Sequence, residues 1–451
     1  MTTDLTTAPI PMLIRRLAIP AGTGFFFNTM FNVVDTWYGG RLSTIALAAM
    51  SLSFPVFFII LAIGTGITTG ATALIGNALG RGDRDEARHY VLQALSFALL
   101  HALALTALGL TFLPRIFMAM GARGEYLSLA LSYMNVIFAG APFFLLNFVM
   151  NAILNSHGNT ISYRNFLITG FFLNLLLDPW FMYGGLGIPA LGLPGVALAT
   201  IAIQCMGNFY LFSRLSPTGA VTTFKLRELC PQWRYYRELF GQGLPAAMNM
   251  MTVTLGIFII TWFVGGFGPQ AVAAYGIGTR IEQIALLPVM GLNISTLALT
   301  SQNYGAGRIA RIRQVLAVSL RYGFMLAFIG NVAALAFTGE LIRFFTGDAA
   351  VIAAGIRFLR IEALILPAYV LLYICISAMQ GIKRPTFGLW IGLYRQIAGP
   401  FALFHLLTTV AGWGIMGIWW GVFMVTWSAA LIVVVYVTRV LNKLKEDLPI
   451  V

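Results

Sequence analysis

The sequence predicts an all-α polytopic membrane protein with twelve transmembrane helices, arranged as two six-helix lobes. Hydrophobic side chains make up 59% of the 451 residues and charged ones only 10%, which leaves too little polar surface to coat a soluble globule of this size. Apolar runs of about 20 residues, the length that crosses roughly 30 Å of hydrocarbon as a helix, recur along the whole chain. An internal duplication, described below, predicts the division into lobes.

The apolar runs define the helices in chain order. The twelve predicted spans are 12–38, 44–78, 87–112, 124–156, 160–183, 193–214, 232–264, 270–303, 308–338, 348–380, 385–409 and 413–443.

The basic residues predict the orientation of these spans. Most of the 28 Lys and Arg fall on the side of the N-terminus, whereas Arg41, Arg115, Arg123 and Arg343 lie opposite. Both termini are therefore expected in the cytoplasm. Because the positive charge is spread over loops instead of forming one patch, we expect contact with anionic membrane lipids and no nucleic-acid partner. The first apolar stretch lacks a cleavage pattern and is expected to be a retained helix.

A shift of 225 residues aligns the chain with itself without a gap for about seventy residues. It places Pro20 on Pro245 and Gly66 on Gly291, and such residues are the least interchangeable for backbone geometry. An even number of helices per repeat gives both copies the same orientation, so a pseudo-two-fold axis along the membrane normal should relate the lobes. We expect an N-terminal lobe at 1–213, a cytoplasmic linker at 214–231 and a C-terminal lobe at 232–451.

Polar side chains inside the spans of the N-terminal lobe share one depth. Asp35 and Asp178 each lie within about five residues of the outer end of a span, and Asn174 precedes Asp178 by one helical turn. Thr200 enters the same layer from the outer side. An ionised Asp near a helix centre costs about 2.5–3.5 kcal/mol, so these acids are expected to face a cavity or each other. The duplication places Ile260 at the position that matches Asp35.

Two kinds of ligand suit this group of oxygens. An acid pair in a medium of low dielectric can share a proton, and the same four side chains offer the hard oxygen ligands that Na⁺ prefers. Two structural alternatives remain: Asp35 as an interfacial acid near Arg41, and Asp178 as a turn-forming residue before Pro179.

The C-terminal lobe carries other charged residues inside its spans. For this set we expect an ion-paired structural network; its members are Arg280, Glu282, Glu362 and Arg395.

Other sequence features exclude catalytic and cofactor functions. The chain has no Gly-Lys dipeptide and hence no P-loop, and no zinc or nucleophile signature. We expect no catalytic residue, no cofactor and no certain metal site, and energy from an ion gradient if transport is active. Pro20 removes a backbone hydrogen bond from the first span and is a candidate hinge, with a static kink as the alternative.

Four ordered patterns resemble the multidrug and toxic compound extrusion (MATE) family, in particular its DinF-like bacterial branch. They are "IPAGTGFFFNTMFNVVDTWYGGRLSTIALAAMS" at 19–51, "GNALGRGDRDEA" at 76–87, "FFLNLLLDPWFMYGGLGIPALGLPGVALAT" at 171–200 and "YGIGTRIEQIALLPVMGLNISTLALTSQNYGAGR" at 275–308.

The resemblance implies an antiporter of the bacterial inner membrane that expels amphipathic, often cationic drugs by alternating access. It places the coupling acids of the branch on Asp35 and Asp178, with Asn174 beside them and Thr200 as a further match. We favour H⁺ as the coupling ion, with Na⁺ at the same residues as the alternative, and we expect a monomer. A lipid-precursor flippase and a non-transporting membrane scaffold or receptor remain alternative functions.

Overall fold

The computed structural model describes residues 4–185, 187–219 and 225–446. Within this part of the chain the only β-structure is an isolated bridge between Gly185 and Ile188, and the all-α polytopic class predicted from the sequence is confirmed. The described residues form two compact units. The first unit comprises Thr23–Ala247, and the second comprises the residues up to Gly22 together with those from Met248 onward.

Within the described residues, the first unit contains most of the first helix, the six α-helices that follow and the start of the next one. Its helices are α1 (Ile10–Leu42, from residue 23), α2 (Thr44–Gly80), α3 (Arg84–Ala119), α4 (Gly124–Ala139), α5 (Ala141–Ser156), α6 (Ile161–Tyr183), α7 (Leu193–Leu215) and α8 (Trp233–Gly265, up to residue 247).

The second unit contains the remaining parts of α1 and α8 and the helices that follow. These are α9 (Pro269–Gly305), α10 (Ile309–Ala336), α11 (Thr338–Arg343), α12 (Ala349–Ala363), α13 (Leu366–Gly381), α14 (Thr386–Leu393), α15 (Gly399–His405) and α16 (Ile415–Glu446).

Each unit has a hydrophobic core of its own. In the first, α2 packs against α3 and α5, and α6 packs against α7. In the second, α9 packs against α12 and α13, and α13 packs against α16. The N-terminal turns of α1 contribute buried leucines such as Leu13 and Leu17 to the second core, while Tyr235 and Leu239 at the start of α8 belong to the first.

Two predicted spans, 124–156 and 348–380, are each broken into two helices. The pair α4 and α5 is bent by 46° and the pair α12 and α13 by 47°. The physical cause is a proline in the first turn of the second helix, Pro142 or Pro367, which cannot donate a backbone hydrogen bond. These prolines lie 225 residues apart (367 − 142), so both copies of the duplication carry the break.

Side chains from other helices bond the backbone at these breaks. The Thr106 hydroxyl donates to the carbonyl oxygen of Phe138 at 2.7 Å, and the Trp427 indole donates to that of Leu364 at 3.1 Å. The Phe138 carbonyl lies four residues before Pro142, so the Thr106 hydroxyl replaces the backbone donor that this proline lacks.

Within the described residues, nine helices are long and apolar enough to cross a membrane, or eleven spans if each bent pair counts as one. The remaining predicted span, 385–409, corresponds to α14 and α15 with two π-helical turns, Tyr394–Ala398 and Leu406–Val410. Pro400 follows the first π turn and cannot donate to the carbonyl oxygen four residues earlier, so the helix here is locally wider than the regular one expected.

Polar contacts tie the segment before α8 to α3. Of the predicted linker 214–231, residues 220–224 lie outside the described residues. Arg88 donates to both carboxylate oxygens of Glu228, at 3.2 and 2.8 Å, and this hydrogen-bonded guanidinium lowers the pKa of Glu228. The Gln93 amide donates to the carbonyl oxygens of Glu228 and Cys230, both at 2.9 Å. The described residues directly before α8 are therefore fixed to α3.

Candidate functional site

Asp35 lies on α1 and is only 6% exposed. The Asn174 side-chain amide on α6 donates a hydrogen bond to Asp35 Oδ1 at 2.8 Å. The Thr200 hydroxyl on α7 donates to Asp35 Oδ2 at 3.3 Å and to the carbonyl oxygen of Val196 at 3.1 Å. Two helices, α6 and α7, thus place neutral donors around one buried carboxyl group on α1.

Asp178 lies one helical turn beyond Asn174 on the same face of α6. Pro179 is inside this helix, which continues to Tyr183, so Asp178 has helical backbone and does not form a turn. Its side chain is completely buried, and neither carboxyl oxygen accepts a hydrogen bond of good geometry, although the Asn174 amide is close enough to act on it. An ionised carboxylate in this position would have little compensation for its lost hydration.

The hairpin between α6 and α7 brings Thr200 to this position. The backbone N–H groups of Leu191 and Gly192 donate to the carbonyl oxygens of Phe181 and Met182, at 3.1 and 3.0 Å. Gly195 allows the two helices to approach closely, since a Cβ atom there would lie 2.5 Å from the Phe181 carbonyl oxygen. The glycine-rich sequence after α6 therefore fixes the spacing between the helices that carry Asp178 and Thr200.

The carboxyl groups of Asp35 and Asp178 interact directly with each other. The other side chains that act on Asp35 are Asn174 and Thr200, so no positive charge is among its interaction partners. The charge of this acid pair must consequently be balanced by something that binds to it, such as a proton or a small cation.

Tyr133 on α4 is a residue that the sequence reasoning did not identify. Its phenol group is within electrostatic range of both Asp35 and Asp178. The depth of Tyr133 in the membrane could have been predicted from the sequence. Gly124 begins a span that enters the membrane from the same side as α7, and Tyr133 follows it by nine residues. That separation corresponds to a depth of about 14 Å along a helix, in the layer of Thr200.

A second acid pair lies in the second unit. The side chains of Glu282 on α9 and Glu362 on α12 interact with each other, and both interact with Arg395 and the Tyr369 hydroxyl. The Arg395 guanidinium lies 5.2 Å from the centre of the Tyr369 ring, and the π turn Tyr394–Ala398 carries it. A fixed cation therefore accompanies this pair, and Tyr369 is a member that the sequence did not indicate.

The remaining predicted residues lie apart from these clusters. Arg280 is on an exposed face of α9 and is not among the groups that act on Glu282 or Glu362. Pro20 is buried inside the continuous helix α1, two residues before the boundary between the units.

The donor set around Asp35 is chemically suited to hard ligands. The amide oxygen of Asn174 and both oxygens of Asp178 are buried without a partner, and they supplement the carboxyl group of Asp35. Within the described ranges no group of three or more His, Cys, Asp or Glu side chains could hold a metal ion. The site can accept a proton at a carboxyl group or a monovalent cation at carboxyl and amide oxygens.

Paired acids inside a polytopic helical unit are typical of membrane transporters that move ions. The family model MatE matches residues 20–180 and 245–401, so the chain belongs to this family of transporters and is not an enzyme. The two matches begin 225 residues apart (245 − 20), the same shift that aligns the sequence with itself. The predicted MATE family is confirmed, and the DinF-like branch stays the finer prediction within it.

Two curated relatives show how widely the similarity extends. The FAD transporter of Shewanella oneidensis is 30% identical over 402 residues, which are 87% of each chain. A probable multidrug resistance protein, NorM, of Thermotoga maritima is 28% identical over 349 residues, 75% of this chain and 72% of that one.

A solved structure shows the same fold. A MOP superfamily transporter from Pyrococcus furiosus matches with a TM-score of 0.91 at 24% identity, over 99% of both chains. The predicted fold class, an all-α polytopic protein of twelve transmembrane helices in two six-helix lobes, is confirmed.

Proposed function

We propose that the protein is a secondary active multidrug exporter, which exchanges amphipathic, often cationic drugs for H⁺. Membership of the MatE family and the name of the Thermotoga relative support this function. We propose the bacterial inner membrane as its location, with both termini in the cytoplasm, and lobes at 1–213 and 232–451 joined by 214–231. The coupling site in this proposal is the acid pair Asp35 and Asp178.

The buried carboxyl group of Asp178 carries the proposal. Neither of its oxygens accepts a hydrogen bond of good geometry, and the charged group that acts on it is a second acid, Asp35. A proton bound between the two acids removes one negative charge and supplies the missing hydrogen bond at the same time. Protonation and deprotonation would thereby change the charge and the hydrogen bonding of α1, α6 and α7 together.

This exchange suggests a transport cycle. Protons from outside reach Asp35 or Asp178, α1 rearranges around Pro20, and the bound drug leaves. The proton is then released on the cytoplasmic side and a new drug molecule binds. Proton and drug bind competitively, so each lowers the affinity for the other by the same factor. Acidification should therefore weaken drug binding.

Sodium coupling is the second candidate, and one observation favours it. The amide oxygen of Asn174 is buried without a partner and lies beside two acids and the Thr200 hydroxyl. Such oxygens can coordinate Na⁺. In this case transport would follow an imposed Na⁺ gradient and would not need a pH gradient.

Drug efflux from liposomes tests the proposal. The purified protein would be given a pH gradient alone or a Na⁺ gradient alone, and wild type would be compared with Asp35→Asn. Glu125→Gln is the matched control, because Glu125 is an exposed acid of the same unit. We expect efflux with the pH gradient in wild type and control, and none in Asp35→Asn.

Other results of this assay would contradict the proposal in distinct ways. Full pH-driven efflux by Asp35→Asn would exclude Asp35 as the coupling acid. Because a relative at 30% identity is named FAD transporter, FAD belongs in the substrate panel, and movement of FAD without any drug would replace the multidrug assignment. Movement of labelled lipid precursors alone would indicate a flippase, and no transport of any compound would favour a scaffold or receptor.

A further inference from the structure

An open groove runs between α6 and α7 on the first unit, with a volume of about 590 Å³. Its floor consists of Phe166 and Gly170 from α6 with Ile203 and Gly207 from α7. Gly207 is required for this shape, because a Cβ atom at this position would overlap the ring of Phe166. The two helices are therefore in direct contact here, and an apolar surface channel runs along the line where they meet.

The length of the groove matches one leaflet of a bilayer. Its lining on α7 extends from Ile203 to Arg214, eleven residues that span about 16 Å as a helix. This is roughly half of the ~30 Å thickness of the hydrocarbon core. The exposed Met206 is part of its lining and the exposed Phe209 lies outside it on the same helix, so the groove faces an apolar environment along this length.

One end of the groove is polar and positively charged. The Arg214 guanidinium is held over the ring of Tyr210, 5.0 Å from its centre, and within the described part of the chain no acid is paired with Arg214. The Asn165 amide oxygen accepts two hydrogen bonds from Arg164, at 3.1 and 2.8 Å, which leaves the Asn165 amide nitrogen as a donor at the same end. This end lies on the side of the membrane where the basic residues are concentrated.

We propose that the groove binds an anionic phospholipid, with one acyl chain between α6 and α7 and the headgroup phosphate at Arg214 and Asn165. Charge complementarity supports this occupant: the apolar channel fits a hydrocarbon chain, and the unpaired guanidinium at its end fits a phosphate. A zwitterionic lipid can fill the same channel, but its headgroup, which has no net charge, is attracted less strongly to the Arg214 guanidinium.

The site has a structural consequence for the transporter. The same two helices carry Asn174, Asp178 and Thr200 further along their length. A bound acyl chain covers the apolar groove along these two helices at the end opposite to Gly195.

Photo-crosslinking in nanodiscs tests the site. Phosphatidylglycerol and phosphatidylcholine, each with a diazirine in the acyl chain, would be compared at equal concentration. Labelled peptides from 161–183 and 193–215 would be measured by mass spectrometry against those from α16. We expect phosphatidylglycerol to label the groove about fivefold more than phosphatidylcholine, the factor that one Arg contributes near an anionic headgroup.

Two variants separate the headgroup end from the channel. Arg214→Gln should remove the preference for phosphatidylglycerol while labelling by phosphatidylcholine persists, and Arg214→Lys should retain part of it. Met206→Trp should fill the channel and reduce labelling by both lipids. Phe209→Trp is the matched control outside the groove, and Arg439→Gln is an exposed arginine on the same side of the membrane; neither should change the labelling. Equal labelling of wild type by the two lipids, or an unchanged preference in Arg214→Gln, would overturn the proposal.

Discussion

The two acid pairs of the molecule differ in what surrounds them. Asp35 and Asp178 in the first unit have an amide, a hydroxyl and a phenol nearby and no positive charge among the partners of Asp35. Glu282 and Glu362 in the second unit share Arg395. The permanent cation Arg395 offsets part of the negative charge of the second pair. The negative charge of the first pair can be offset only by a reversibly bound ion. The comparison suggests that the first pair couples transport and the second stabilises the fold.

Neutralising one acid in each pair tests this difference directly and has the largest expected effect. Asp178→Asn should abolish pH-driven drug efflux, because Asp35, which keeps its neutral donors, then has no second acid with which to share a proton, while Glu362→Gln should keep the dependence on the pH gradient. The measurement is efflux from liposomes over a series of imposed gradients. Loss of the gradient dependence in Glu362→Gln would assign coupling to the second unit.

Removal of the Arg395 cation in the second unit should mainly lower the stability of the fold and should affect pH-driven efflux less. Arg395→Met leaves the buried Glu362 and the half-buried Glu282 without their nearby positive charge and should lower the midpoint of unfolding, whereas Arg395→Lys should lower it less. Thermal unfolding of the purified protein in detergent gives the comparison. Arg357→Met, at an exposed arginine of α12, is the control and should leave the midpoint unchanged. An unaltered midpoint in Arg395→Met would show that this cation is dispensable.

Loss of the amide in the first unit should have an intermediate effect. Asn174→Ala removes the 2.8 Å hydrogen bond to Asp35, and a bond to a charged group contributes about 1.5–3 kcal/mol. We expect the initial rate of pH-driven efflux to fall at least about tenfold. Asn208→Ala serves as the control. Asn208 is an asparagine on α7 whose side-chain amide donates to the backbone oxygens of Phe143 and Gln204 and not to an acid. Equal losses in both variants would indicate a general packing defect.

The hydroxyl of Thr200 should contribute least. Its single proton is divided between Asp35 at 3.3 Å and its own helix backbone at 3.1 Å, so Thr200→Ala should slow efflux only about twofold. Thr200→Ser retains the hydroxyl and should match wild type in the same assay. A complete loss in Thr200→Ala would give this hydroxyl a direct part in ion binding.

The sequence was sufficient to predict the fold class and the members of the first cluster. Uninterrupted apolar runs indicate spans, and depth along a helix brings Asp35, Asn174, Asp178 and Thr200 to one layer. It did not predict the breaks at Pro142 and Pro367, because a proline inside an apolar run is compatible with a straight span, a kink or two helices.

The tyrosines of both clusters were also not identified from the sequence. Tyr133 and Tyr369 are amphipathic side chains that occur at many depths in membrane proteins, so composition alone does not separate a site residue from an interfacial one. Arg395 was recognised as a charge, but its position over Tyr369 depends on a π-helical turn, which has no regular sequence pattern.

The division of α1 and α8 between the two units determines how the chain can be cut. Cleavage between α7 and α8 would leave each fragment without the helical turns that complete its own core: Leu13 and Leu17 stay with the wrong fragment, as do Tyr235 and Leu239. Two halves produced as separate polypeptides would therefore be complementing partners, each of which supplies a missing segment to the other, and neither is expected to be stable alone.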